Sequence, residues 1–61
     1  MNDILTAAEL DALPVASCVI DRYGDILQKH HDGLWYSYET RPLWSAKVAK
    51  FAPRLYESGP Q

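Results

Sequence analysis

Five chain-breaking sites divide this sequence into pieces too short for any long helix or strand: Pro14, Asp21-Arg22-Tyr23-Gly24-Asp25, His31-Asp32-Gly33, Pro42 and Pro53. Proline fixes φ and lacks an amide donor, while an Asp beside a Gly bonds the backbone ahead and lets the chain turn at positive φ. Before the first breaker, Thr6 and Glu9 have capping-box spacing, and Leu5 and Leu10 stand where a hydrophobic staple would join them. This predicts a helix over 7–12, ended near Ala12 because Pro14 biases Leu13 away from the α region.

Val15 to Ile20 is rich in small and β-branched residues and leads into the Asp21–Asp25 turn. Ile26 to His30 reads as the returning strand, His31-Asp32-Gly33 as a second turn, and the aromatic-rich Leu34 to Tyr38 as a third strand. Ser45, an expected N-cap, opens a second short helix over 45–52 that Pro53 stops, and Arg54 to Glu57 is read as a final edge strand. The predicted fold class is therefore α+β: a capped N-terminal helix, a three-stranded antiparallel meander, a second short helix and an edge strand. Period-two alternation leaves apolar residues on both faces of this sheet. Cys18 and Ile20 oppose Val19, Ile26 opposes Leu27, and Leu34, Tyr36 and Tyr38 oppose Trp35. Either flanking segments cover both sides, or one side is kept for another molecule.

The 61 residues suffice for one domain, with ends expected to fray at about 1–4 and 58–61. Cys18 is the only cysteine, which rules out an internal disulfide and points to a reducing, cytoplasmic setting. With neither a secretion signal at the start nor an apolar run of about 18 residues, no membrane association is expected. The net charge of −2 is unevenly spread. Over 1–38 six acids face only Arg22 and Lys29, whereas Arg41, Lys47, Lys50 and Arg54 form an all-basic stretch.

The run Leu13-Pro14-Val15-Ala16-Ser17-Cys18-Val19-Ile20-Asp21-Arg22-Tyr23-Gly24-Asp25, continued by Gln28, Lys29, Asp32-Gly33 and Trp35, resembles a pattern in small orphan proteins of actinobacteria and their phages. The resemblance spans residues 9–38. This chain departs from the pattern in having Ala16 where glycine is usual and no aromatic near Leu27. The group has no established activity, so the resemblance implies a context, a short phage or prophage accessory protein inside a bacterium, and no residue roles.

Several residues invite a chemical reading. His30-His31-Asp32 gathers metal-capable side chains, but neighbours on an extended segment point to opposite faces, and no CxxC or HxxxH pair completes a shell. The segment reads as a solvated turn. Cys18 with a nearby His lacks the orienting group and oxyanion donors of a nucleophilic site, and it reads as a buried small hydrophobe. Asp21 and Asp25 are explained by their turn, and the glycines at 24, 33 and 59 are too isolated to cradle a phosphate. No catalytic residue, metal or cofactor is expected, and the chain is read as a non-enzyme.

Tyr36, Tyr38, Arg41, Trp44, Lys47, Lys50 and Arg54 are the candidate partner-binding residues, since aromatics and arginine are enriched at the energetic centres of protein interfaces. The leading expectation is an interaction module for a host bacterial protein. A nucleic-acid-binding accessory protein would use the same aromatics for stacking and the same cations for phosphates. A third reading is a homo-oligomer that sequesters a nucleotide between subunits. Trp35, with at least one of Trp44 and Phe51, is expected to form the core. Trp35→Ala should therefore cost about 3–5 kcal/mol and leave the chain mostly unfolded; a variant that melts like the parent would put this ring at the surface.

Overall fold

The computed structural model describes residues 4–38 and 40–56. Helix α1 (Ala7–Ala12) leads to strands β1 (Cys18–Ile20), β2 (Ile26–Lys29) and β3 (Trp35–Tyr36). Helix α2 (Ser45–Val48) then tightens into a 3₁₀ turn (Ala49–Phe51) before β4 (Arg54–Leu55). The strands form one antiparallel sheet in the order β3-β2-β1-β4. The α+β fold, the meander and the final strand are thus as the sequence predicts, with β4 joining the meander at β1. Among the described residues no helix is long and apolar enough to cross a membrane.

The start of α1 follows its sequence signature. Thr6 Oγ1 accepts from the Glu9 amide at 3.1 Å, and Glu9 Oε1 accepts from the Thr6 amide at 2.9 Å. Leu10 is fully buried and Leu5 packs against the same cluster. The helix stops at Leu13, whose ψ of 145° is extended, as a residue before proline must be. Ile4, at the margin of the expected frayed end, bridges to Arg54, and the Leu5 amide donates to the Pro53 carbonyl at 2.8 Å. The rest of the expected fraying, at 1–3 and 58–61, lies outside the described residues, as does Glu57 of the expected last strand.

β1 begins later than Val15 because the chain first turns. The Ser17 amide donates to the Pro14 carbonyl at 3.1 Å, with Ala16 at a φ of 77°. The Ala16 amide then donates to the Lys29 carbonyl, and the Lys29 amide donates to the Ser17 carbonyl. Two residues thus face one, with the first at positive φ, which is the bulge that normally places glycine there. The next two turns do use glycine. Gly24 (φ 87°) donates to the Asp21 carbonyl, and Gly33 (φ 83°) donates to the His30 carbonyl. In the first of these, Asp21 Oδ1 also accepts from the Tyr23 and Asp25 amides.

Leu10, Val19, Leu27, Trp35 and Val48 form the core, with Leu13, Leu43 and Ala49 packed around it. Val19, Leu27 and Trp35 share one face of the sheet, so α1 and α2, which contribute Leu10 and Val48, both lie on that face. Trp35 is fully buried, and its Nε1 donates to Ser45 Oγ at 3.0 Å. This contact corrects the expected N-cap. Ser45 is the first helical residue, and the cap position falls to Trp44, which makes no side-chain capping bond. The Ser45 hydroxyl serves the buried indole instead. The helix is also shorter than 45–52, since it narrows to 3₁₀ at Ala49 and ends with Ala52 in the left-handed region at φ 56°, ψ 54°.

Neither Trp44 nor Phe51 joins Trp35 in the core. Trp44 is 68% exposed, and Phe51 is half-buried beside Tyr23, with ring centroids 6.1 Å apart. Cys18, expected to be buried, is only half-buried because the helices cover the opposite face of β1.

Lys29 fills the corner between α1 and the sheet. It is only 8% exposed, and its Nζ donates to the carbonyls of Leu10 (3.2 Å), Asp11 (2.7 Å) and Leu13 (2.8 Å). They lie at the helix C-terminus, where the last carbonyls lack intrahelical partners, although the Leu10 carbonyl also accepts from the Leu13 amide, and α1 has no basic residue of its own in its last turn.

The strained position gives a direct test. An L-residue in the left-handed region costs about 1–2 kcal/mol, and the extra chain entropy of glycine offsets part of that relief. Ala16→Gly is expected to stabilise the protein by roughly 0.5–1 kcal/mol, read as a raised midpoint in urea unfolding with an unchanged m-value. A lowered midpoint would show that Ala16 is not under backbone strain.

Candidate functional site

The face of the sheet turned away from the helices is assembled by register. Cys18 pairs with Gln28 and Gln28 with Tyr36, while the Tyr56 amide donates to the Cys18 carbonyl at 2.8 Å. Tyr36, Gln28, Cys18 and Tyr56 thereby form one row across the sheet. Ile20 pairs with both Ile26 and Arg54, which makes a second row. Ile26 is 43% exposed, Tyr56 is 37% exposed and Tyr38 is fully exposed. Tyr38 stands between two shallow clefts. One, of about 210 Å³, includes Ile26, and the other, of about 270 Å³, includes Gln28, His30 and Tyr36.

The outer edge of this face is held by a ring stack and two hydrogen bonds. The His30 and Tyr36 rings stack with centroids 3.9 Å apart and planes 24° from parallel. The Tyr36 hydroxyl donates to Asp32 Oδ2 at 2.5 Å, while Asp32 Oδ1 accepts from the Leu34 amide at 2.9 Å. The tyrosine bond, and after it the Leu34 amide, hold the Asp32 carboxyl below the usual carboxylate value. The same bond to Asp32 pushes the Tyr36 phenol above its ordinary value. The second turn therefore fixes the ring that begins the aromatic row.

The structure divides the residues proposed from sequence. Tyr36, Tyr38 and Arg54 come together on the open face or its margin. Trp44 and Lys47 belong to α2 and its cap, on the helical side of the sheet. Arg41 is exposed in the connection between β3 and α2. Lys50 is exposed in the 3₁₀ turn, where its carbonyl accepts from Arg22 Nη2. Sequence reasoning did not single out Ile20, Ile26, Gln28 or His30 as partner-binding residues, and it offered Tyr56 only as a stacking ring for nucleic acid. The signal that finds them is the alternation that leaves both faces apolar, combined with strand register.

Among the described residues no three His, Cys, Asp or Glu side chains gather as they would around a metal ion. His30 is engaged by the Tyr36 ring, and Cys18 Sγ approaches the Ala16 carbonyl at 3.7 Å. The arrangement offers flat apolar and aromatic area with polar edges, which is suited to binding. No protein-family model, curated protein or solved structure matches this chain.

The Asp32–Tyr36 bond favours an ionised carboxylate and a protonated phenol. Its stabilisation is complete between the unfolded values of the two groups, about 4 and about 10. It is lost as pH falls through the lowered Asp32 value, and lost again as pH rises through the raised Tyr36 value. Tyr36→Phe should flatten both limbs of the melting temperature against pH and reduce the phenolate absorbance developed on titration to high pH by the share of one of the four tyrosines. An unchanged profile would mean that the bond is not maintained in solution.

Proposed function

We propose that this chain is a non-enzymatic interaction module, a small accessory protein of the phage or prophage type, which binds a host protein in the bacterial cytoplasm through the open face of its sheet. The observation that carries this reading is the face itself. Ile20, Ile26, Tyr36, Tyr38 and Tyr56 expose aliphatic and aromatic area on the side opposite the helices. Tyrosine and arginine are over-represented among residues that dominate binding energy, and a ring held by a stack and a hydrogen bond loses little entropy on contact.

Recognition by the face is favoured over addition of a strand at an edge. Ile4 bridges to β4 at one side of the sheet, and Leu43 exchanges two backbone hydrogen bonds with Trp35 at the other. A peptide would therefore meet little free strand edge there. A protein partner is also favoured over single-stranded nucleic acid, which needs cations beside the stacking rings. Arg54 and Arg22 lie together at one end of the face, away from Tyr36 and Tyr38, while Lys47 is on the helical side and the Lys29 ammonium is committed to α1.

The test is affinity capture from an actinobacterial lysate, with and without nuclease. The expected result is one stoichiometric protein that survives nuclease. Ile26→Ser combined with Tyr38→Ala should weaken its capture by roughly tenfold or more, whereas Trp44→Ala on the other side should leave it unchanged. Recovery of nucleic acid alone would overturn the reading in favour of the stacking alternative; recovery of the chain's own copies alone would replace it with self-association.

A further inference from the structure

One end of the open face, where the row of Ile26, Ile20 and Arg54 ends, holds a cleft of about 290 Å³ lined by Ile20, Asp21, Arg22, Ala52 and Arg54. Its two arginines are held differently. Arg22 is fixed to the end of the 3₁₀ turn. Its amide donates to the Phe51 carbonyl at 2.9 Å, its Nη2 donates to the Lys50 carbonyl, and its guanidinium lies 5.7 Å from the centre of the Tyr23 ring. Arg54 is exposed and stands beside Ile20 through the β1–β4 register. Among the described residues neither guanidinium has a carboxylate partner, although the chain carries eight acids against six bases. Asp21, the acid nearest in sequence, uses Oδ1 to accept from the Tyr23 and Asp25 amides and so shapes its turn.

We propose that this cleft is a carboxylate-binding site, with Arg22 and Arg54 as its donors and Ile20 as its apolar floor. The site rests on the open-face reading in one respect: it assigns the partner an acidic side chain or a C-terminal carboxylate at the end of the segment that lies along the tyrosine and isoleucine rows. Arginine suits this task because its planar fork matches a carboxylate with two parallel hydrogen bonds. Arg22 presents a guanidinium already oriented by the Lys50 carbonyl, so less freedom is lost when an anion arrives. The Asp21 carboxylate in the wall decides the class of anion. It offsets one of the two guanidinium charges, so a carboxylate monoanion neutralises the cleft, whereas a phosphate dianion must be desolvated with one charge more than the cleft matches.

The experiment uses the whole chain and two simple anions. Sodium acetate, and separately inorganic phosphate, are titrated against ¹⁵N-labelled protein at ionic strength matched with chloride. The expected result is saturable movement of the Arg22, Ala52 and Arg54 backbone amides with acetate, a smaller response to phosphate, and about fivefold to tenfold weaker acetate binding in Arg54→Gln. Arg54→Gln changes only an exposed side chain of β4, and its unchanged spectrum elsewhere reports that the fold is intact. Amides that respond no more to acetate than to chloride, or that respond equally in Arg54→Gln, overturn the proposal. A stronger response to phosphate overturns the assignment to carboxylate. The two readings fail separately. With no acetate site, a captured protein would still be weakened by Ile26→Ser with Tyr38→Ala; with an acetate site and no captured protein, the cleft would stand and the docking face would not.

Discussion

The ammonium of Lys29 joins the two halves of this fold. A helix of six residues has little stability of its own, since isolated helices shorter than about 12–15 residues are marginal in water. Here its C-terminal carbonyls are met by a cation that belongs to the second strand. Hydrogen bonds to a charged group contribute about 1.5–3 kcal/mol, a large amount beside the few kcal/mol that a core of this size supplies. The three carbonyls, from Leu10, Asp11 and Leu13, take up all three protons of the ammonium. The same residue's backbone pairs with Ala16 and Ser17, so the helix end, the bulge and the strand are fixed at one point.

The rest of the architecture follows from that joint. With α1 held across one face, Leu10 reaches Val19, Leu27 and Trp35, and α2 closes the cluster with Val48 and with the Ser45 hydroxyl that satisfies the buried indole. The helices are too few and too short to cover a second face. Cys18, Ile20, Ile26 and Tyr36 are consequently left on the outside in register. The functional proposal rests on this asymmetry: a core concentrated on one side leaves a flat, partly apolar sheet on the other, bounded at its edges by Ile4 and Leu43.

Local rules were often legible and sometimes overridden. The capping box at Thr6 and Glu9, the stop before Pro14 and the glycine turns formed where their residue types demanded. Ala16 breaks the pattern, since the bulge requires positive φ at a residue that has a Cβ, and the neighbouring contacts of Lys29 hold it there. Ser45 departs from its cap signature for a related reason. A serine before a helical run has the chemistry of a cap, but a buried tryptophan ten residues earlier needed the same hydroxyl. Competition of that kind is decided by distance in space, which local sequence does not encode.

Chain-breaker positions and apolar alternation determined the α+β class, the meander and the presence of two apolar sheet faces. Composition also marked tyrosines and arginines as binding material. Tertiary structure alone decided which face the helices would cover, and therefore that Tyr36, Tyr38 and Arg54 belong with Ile20 and Ile26 while Trp44 and Lys47 lie on the other side. It also decided that Lys29 would be a structural cation and that Arg22 and Arg54 would share a cleft. The physical reason is that alternation is a property of adjacent residues, whereas burial and charge pairing depend on segments brought together across a turn.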